Sequence, residues 1–305
     1  GVGTDSFTVN SGVSIGTIGG GNGANTYIIN GTTGNITGGA GIDQFTVNGN
    51  GSTGTLSGLA GKDTFTVIGT DTYRVGSILG GANDDTVTLE STEVVGVAGV
   101  GGAAGTPGLI DGGAKDGTDA ADAGDIFNLS NSSDLLLSRL TSFETLNGNS
   151  TTPGTLTGVE TNTWVVDAIN SGTVNGIHFN DFINIVGGTG IDGFTVNNLV
   201  SIGNISGGNG ANTYTINGTT GAITGGDNVD TFTIGTAGNT GALVGGLGDD
   251  VFSVSGATTG RVASISGGDG DDTVSLDNTG VVSGTIDGGD ETLKDTFNLT
   301  ATDGS

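Results

Sequence analysis

Cysteine and methionine are absent from the 305 residues, and proline occurs only twice. Without cysteine, no disulfide staples the fold. Basic residues number 6 against 32 acidic ones, a net charge of −26. That balance argues against nucleic acid and anionic membrane as partners, because both recruit positive charge. It suits divalent cations, and it keeps a long exposed body soluble. No apolar run approaches the ~18 residues that a membrane-crossing helix needs. There is one histidine and no nucleophile–base pair stands out, so the reading is non-enzymatic. Apolar content is only 33%. It is concentrated in recurring blocks, which points to a thin core and not to a disordered chain.

Glycine is abundant, 65 residues, without the collagen triplet. Between the glycines a short block recurs: Asp5-Ser-Phe-Thr-Val, Asn25-Thr-Tyr-Ile-Ile, Asp43-Gln-Phe-Thr-Val, Asp63-Thr-Phe-Thr-Val, Asp85-Thr-Val-Thr-Leu. It returns at Asp192, Asn212, Asp230, Asp250 and Asp272 with the same uneven spacing. From Asp5 to Asp192 is 187 residues. A period near 20 nested in a longer one predicts a solenoid. The expected fold is all-β, a parallel β-helix of about 18–22 residues per coil with a 187-residue super-repeat.

Within a coil, alternation turns Phe65 and Val67 inward and Thr64 and Thr66 outward. A polar turn such as Asn30–Gly34 follows, then a second strand centred on Ile36, Leu56, Ile78, Ile205, Ile223 or Ile265. A glycine-rich turn closes the coil. One weak helical candidate spans Ser133–Ser142. Three regions are expected: a first solenoid block, 1–129, with a loop insertion at about 97–124; irregular coils at the repeat boundary, 130–187; and a truncated second copy, 188–305. The extra residues of the insertion are placed around Val100–Gly108 and Lys115–Gly124. The chain opens and stops within a repeat, so a piece of a longer array is expected.

The closing turns carry Gly-Gly-x-Gly-x-Asp, as in Gly38–Asp43 and Gly187–Asp192, with near versions ending at Asp250 and Asp272. They resemble the calcium-binding turns of RTX proteins. The resemblance implies Ca2+ along one edge, held at Asp43, Asp63, Asp85, Asp192, Asp230, Asp250 and Asp272. Here the motif occurs once per coil, and Asn25, Asn162 and Asn212 interrupt the column. Ionised carboxylates one coil apart repel by about 1 kcal/mol in water and about 3.5 at an effective dielectric of 20. Either a cation sits between them, they splay into water, or each Asp caps a turn by accepting backbone N–H bonds.

Other patterns have plainer readings. The outward Thr-x-Thr ranks resemble ice-contacting solenoid faces, but threonine also simply suits a solvated strand. Asn10, Asn30 and Asn48, with Asn197 and Asn217, suggest stacked amides. His178 reads as a strand residue, and Trp164 as core or a strand-end anchor. The adjacent acids Asp249-Asp250 and Asp271-Asp272 look like turn or cation groups.

The recurrent Asp-Thr-Phe-Thr-Val units, Phe143-Glu-Thr-Leu-Asn-Gly and Asn162-Thr-Trp resemble long exoproteins of the filamentous-haemagglutinin type, including biofilm-matrix adhesins. The resemblance implies a right-handed parallel β-helix, bacterial, exported by a two-partner outer-membrane transporter and extracellular. It implies a non-catalytic stalk or filament segment supporting cell–cell or matrix adhesion. Partners so implied are the chain itself, through tandem stacking or lateral association, and exopolysaccharide. The alternative is a Ca2+-binding, ice-binding or polysaccharide-binding solenoid module.

Overall fold

The computed structural model describes residues 1–69, 74–90, 92, 95–97, 106–114, 124–130, 134–256, 261–277, 279–290 and 294–300. It divides into two compact units, Gly1–Thr152 and Pro153–Ser305. Each is a parallel β-solenoid. The unit boundary falls inside the stretch 130–187, whereas the sequence offset parts the copies on either side of it.

In the first unit, Ser6–Val9, Thr26–Ile29, Gln44–Val47, Thr64–Val67, Thr86–Leu89, Ile126–Leu129 and Thr145–Asn147 pair in that order. A second ladder joins Ile18–Gly19, Ile36–Ala40, Thr53–Ala60, Val75–Ala82, Ile110–Ala114 and Leu140–Thr141. Every pair in both ladders is parallel. Matching residues stand one above another: Tyr27 on Phe45 on Phe65, and Ile36 on Leu56 on Ile78 on Ile110. Alternation turns these side chains inward, and stacking removes them from water. A lone coil has no partner for its apolar face, so burial comes only from its neighbours. Each buried Phe or Ile contributes about 1.5–3 kcal/mol.

The second unit repeats the design. Thr163–Ala168, Gly193–Val196, Thr213–Ile216, Thr231–Ile234, Val251–Val254, Thr273–Asp277 and Thr296–Thr300 form one parallel ladder. Gly154–Thr157, Phe182–Gly188, Ile205–Asn209, Ile223–Asp227, Asn239–Leu247, Arg261–Asp269 and Ile286–Asp290 form the other. Rings at the first ladder stack face to face: Phe194 to Tyr214 5.0 Å, Tyr214 to Phe232 4.6 Å, Phe232 to Phe252 4.6 Å, all within 8° of parallel. Ring spacing follows the interstrand spacing of a sheet, which brings the faces into contact.

Three features differ from the sequence reading. First, the turn after the first strand holds a third short strand. Thr32–Thr33 pairs with Ser14–Ile15, and Thr219–Thr220 with Ser201–Ile202. Thr33 and Thr220 point inward, and each hydroxyl donates to the next residue's carbonyl, Gly34 or Gly221, at 3.0 Å. An inward threonine satisfied in this way looks like turn composition in the sequence.

Second, part of the irregular stretch is antiparallel. Thr163–Ala168, Ser171–Val174 and Ile177–Asn180 form a meander. Its second turn is Asn175-Gly176, with φ of 50° and 84°. Consecutive positive φ values are what a tight two-residue hairpin requires, and Asn-Gly adopts them readily.

Third, Ile110–Ala114, inside the expected insertion 97–124, is a strand of the second ladder. Gly96–Val97 pairs antiparallel with Thr106–Pro107. Residues 98–105 and 115–123 of that insertion lie outside the described residues. The helical candidate at Ser133–Ser142 is reduced to one 3-10 turn, Leu137–Arg139. No helix among the described residues is long and apolar enough to cross a membrane.

Candidate functional site

The acidic column lies at the start of the first ladder, one residue before each strand. It does not face water. Asp43, Asp63, Asp85, Asp192, Asp230, Asp250 and Asp272 are all buried, none more than 1% exposed. The structure brings them together as two ladders, one in each unit.

In the first unit the backbone N–H of Asp43 donates to Asp63 Oδ1 at 2.7 Å, that of Asp63 to Asp85 Oδ1 at 2.7 Å, and that of Asp85 to Asp125 Oδ1 at 2.6 Å. Asn25 N–H donates to Asp43 Oδ1 at 2.8 Å, and Asp5 N–H to Asn25 Oδ1 at 3.1 Å. Glu144 takes the next place, accepting from Asp125 N–H at 2.7 Å. In the second unit the same bonds run from Asn162 to Asp192, Asn212, Asp230, Asp250, Asp272 and Asp295 at 2.6–2.9 Å. Each side chain thus caps a peptide N–H of the preceding coil, which would otherwise be buried without an acceptor.

The second oxygen is different. Oδ2 of all seven aspartates is buried with no hydrogen-bond partner. It rests against the first glycine of the closing turn. A β-carbon on Gly38, Gly58, Gly187, Gly225, Gly245 or Gly267 would collide with Oδ2 of the aspartate five residues on. The carbonyl of the aligned glycine in the next coil lines the same space, Gly58 for Asp43 and Gly207 for Asp192. Glycine is required there because the carboxyl occupies the place of a side chain.

This environment moves the acids. Burial pushes Asp63, Asp230 and Asp250 up to about 7, against which the N–H bond of the preceding coil works downward. Asp85 is pushed up to about 8 by burial, aided by the charges of Asp63, Asp125 and Asp84. Asp43, Asp192 and Asp272 are raised for the same leading reason, loss of water.

For a cation, the oxygens at one column are Oδ1 and Oδ2 with the glycine carbonyls that line the same space, and calcium takes 6–8 oxygen ligands. Among the described residues no three acidic or histidine side chains gather as a metal cluster. The adjacent acids are split between two surroundings. Asp250 is a buried rung, while exposed Asp249 accepts the N–H of Asp271 at 2.9 Å.

The remaining sequence candidates take their places around this column. Trp164 is core: it is fully buried, stacked on Phe194 at 6.1 Å and edge-on to Phe179. His178 is an exposed strand residue. Asn48 donates to Asn30 at 2.7 Å, the stacked amide expected, and Asn147 does the same to Asn128 at 2.8 Å. Thr213 and Thr215 lie in register with Thr231 and Thr233 on the outer surface, and the next coil replaces them by Val251 and Ser253.

Sequence reasoning passed over two buried arginines. Arg74 donates to the carbonyls of Asn48 and Ile68 at 2.7 Å and of Gly51 at 3.1 Å. Arg139 donates to those of Val95 at 2.7 Å and Thr92 at 3.0 Å. Scarcity was the available signal, since only 6 residues of the chain are basic. Glu144 was passed over because the column was sought as Asp or Asn.

No protein-family model, curated protein or solved structure matches the chain.

Proposed function

We propose that the chain is a structural segment of a large secreted or cell-surface bacterial adhesin, a non-catalytic stalk that supports cell–cell or matrix adhesion. One observation carries the reading. Within each unit the described coils meet through the same bonds: two parallel ladders, an apolar column and a rung of Asp or Asn, with Glu144 in that place once. Such a body adds length by repetition and needs no special coil. The 187-residue duplication adds length in the same way. The partners proposed with this reading are the chain itself, by tandem stacking or lateral association, and exopolysaccharide, with export through a two-partner transporter as the family resemblance implies.

The test uses the full-length protein in the producing cell. Removing one 187-residue repeat should shorten the fibres seen by negative-stain microscopy, while the cells still display them and still adhere. Retention of the intact protein in the cytoplasm would overturn the reading. So would loss of ligand binding that tracks point substitutions in one coil and not fibre length.

A further inference from the structure

The columns mix aspartate with asparagine at equivalent places, and the two side chains do the same work there. Oδ1 of either residue accepts the N–H of the preceding coil. The second atom of either residue occupies the same spot. A β-carbon on Gly20, Gly158 or Gly207 would press on Nδ2 of Asn25, Asn162 or Asn212, just as one on Gly38 would press on Oδ2 of Asp43.

In the asparagine coils that second atom is a donor. Nδ2 donates to the carbonyl two residues earlier: Asn25 to Gly23 at 2.9 Å, Asn212 to Gly210 at 2.9 Å, Asn162 to Glu160 at 2.7 Å. Asn162 Nδ2 also reaches the carbonyl of Gly187 in the next coil at 3.0 Å. The site is therefore built of acceptors and calls for a hydrogen. In the aspartate coils an ionised Oδ2 would set an acceptor against acceptors, out of water and with no hydrogen bond of its own. The one amide bond onto a column carboxyl, Asn162 Nδ2 to Asp192 at 2.9 Å, goes to Oδ1.

We propose that Asp43, Asp63, Asp85, Asp192, Asp230, Asp250 and Asp272 are held as neutral carboxylic acids in the folded chain, each Oδ2–H donating to the carbonyl two residues earlier. Those carbonyls belong to Gly41, Gly61, Asn83, Gly190, Asn228, Gly248 and Gly270. The columns are then proton-holding ladders, and the solenoid is firmer in acid than in alkali.

The acidic groups around them act in one direction. Asp63 faces Asp43 and Asp85; Asp85 faces Asp63, Asp125 and Asp84, the last joined to Lys62 at 2.7 Å. Asp230 faces Asp227 and Asp250. Asp250 faces Asp230, Asp272 and Asp249, and Asp272 faces Asp250, Asp295, Asp249 and Asp271. Asp43 has Asn25 and Asp63 as rung neighbours, and Asp192 has Asn162 and Asn212. The phenols of Tyr27 and Tyr214 stand beside Asp43 and Asp230. The acidic neighbours oppose ionisation of the column.

The sign follows from the raised folded values. The unfolded chain gives up these protons near pH 4, while the folded chain keeps those of Asp63, Asp85, Asp230 and Asp250 to about 7 or 8. Burial raises Asp43, Asp192 and Asp272 in the same direction. The stabilisation is fully present below about pH 4 and is lost as pH rises through the folded values.

The experiment is a denaturant-unfolding series from pH 4 to 9 on the whole chain, with added CaCl2 or with EGTA, joined to infrared spectroscopy of the carboxyl band. The expected result is a folding equilibrium constant that falls by roughly 10³-fold or more across that range, the same in EGTA. A protonated-carboxyl band should persist at pH 6 in the folded protein. Asp63→Asn and Asp230→Asn should fold, shrink that band and flatten the pH dependence. If a variant fails to fold, the band and the pH series of the unaltered protein still decide. Stability that is flat or rises with pH, absence of the band at pH 6, or calcium raising stability at neutral pH with reversal by EGTA would overturn the proposal. The last result would assign the columns to a cation.

Discussion

Tyr214 and Phe232 lie ring on ring, 4.6 Å between centroids and 6° from parallel, on successive coils. Both are fully buried, and Phe252 continues the stack. Phe232→Ala therefore removes the middle of a stack and leaves a cavity that its strand neighbours, tied into parallel ladders on both sides, cannot close. The expected loss is about 3–5 kcal/mol, read as a lowered denaturant midpoint. An outward change on the same strand, Thr233→Ser, should stay within about 0.5 kcal/mol.

Gly225 leaves room for a carboxyl. A β-carbon there would run into Asp230 Oδ2 and come within 2.5 Å of the Gly245 carbonyl. Both obstacles belong to the ladders and cannot swing away. Gly225→Ala should cost about 2 kcal/mol or more. Gly193→Ala is the matched control, since its β-carbon meets only Thr213 Oγ1, at 3.6 Å. Equal effects at the two positions, measured by thermal unfolding, would contradict the steric account.

Arg74 holds carbonyls from three places in the chain, Asn48, Gly51 and Ile68. Arg74→Met keeps much of the apolar stem but strands these acceptors. A loss of about 2–4 kcal/mol is expected in equilibrium unfolding. Arg74→Lys should recover only part, because an ammonium lacks the planar fork that reaches several acceptors at once.

Tyr27 and Tyr214 should resist alkali. Burial and the nearby acidic column push Tyr27 up to about 12 and raise Tyr214 further. Tyr27 donates to the Thr37 carbonyl, and Tyr214 to that of Thr224, each at 3.2 Å. The folded chain thus keeps both protons beyond the ordinary value of 10. Their contribution is complete below pH 10 and fades as pH climbs through the folded values. Ultraviolet titration should show phenolate from these two residues only on unfolding. Simple titration near pH 10 in the intact fold would refute it.

Much of this architecture was legible in the residue order. The spacing of Asp43, Asp63 and Asp85 implied one column, and alternation in Thr64–Val67 implied which side chains face inward. Both follow from local rules: strands alternate with period two, and equal spacing stacks equal residues. The antiparallel meander was also encoded, in Val174-Asn175-Gly176-Ile177, but it was masked by the irregular composition around it.

What only the tertiary structure decided is the state of the acids. In sequence an aspartate beside glycines reads equally as a calcium ligand, a solvated charge or a turn cap. Folding withdraws Asp63 from water, gives one of its oxygens the Asp43 N–H and sets the other against glycine. The place of Arg74 among distant carbonyls belongs to the same class. Solvent exclusion and the meeting of coils about 20 residues apart are properties of the stack, so no single repeat contains them.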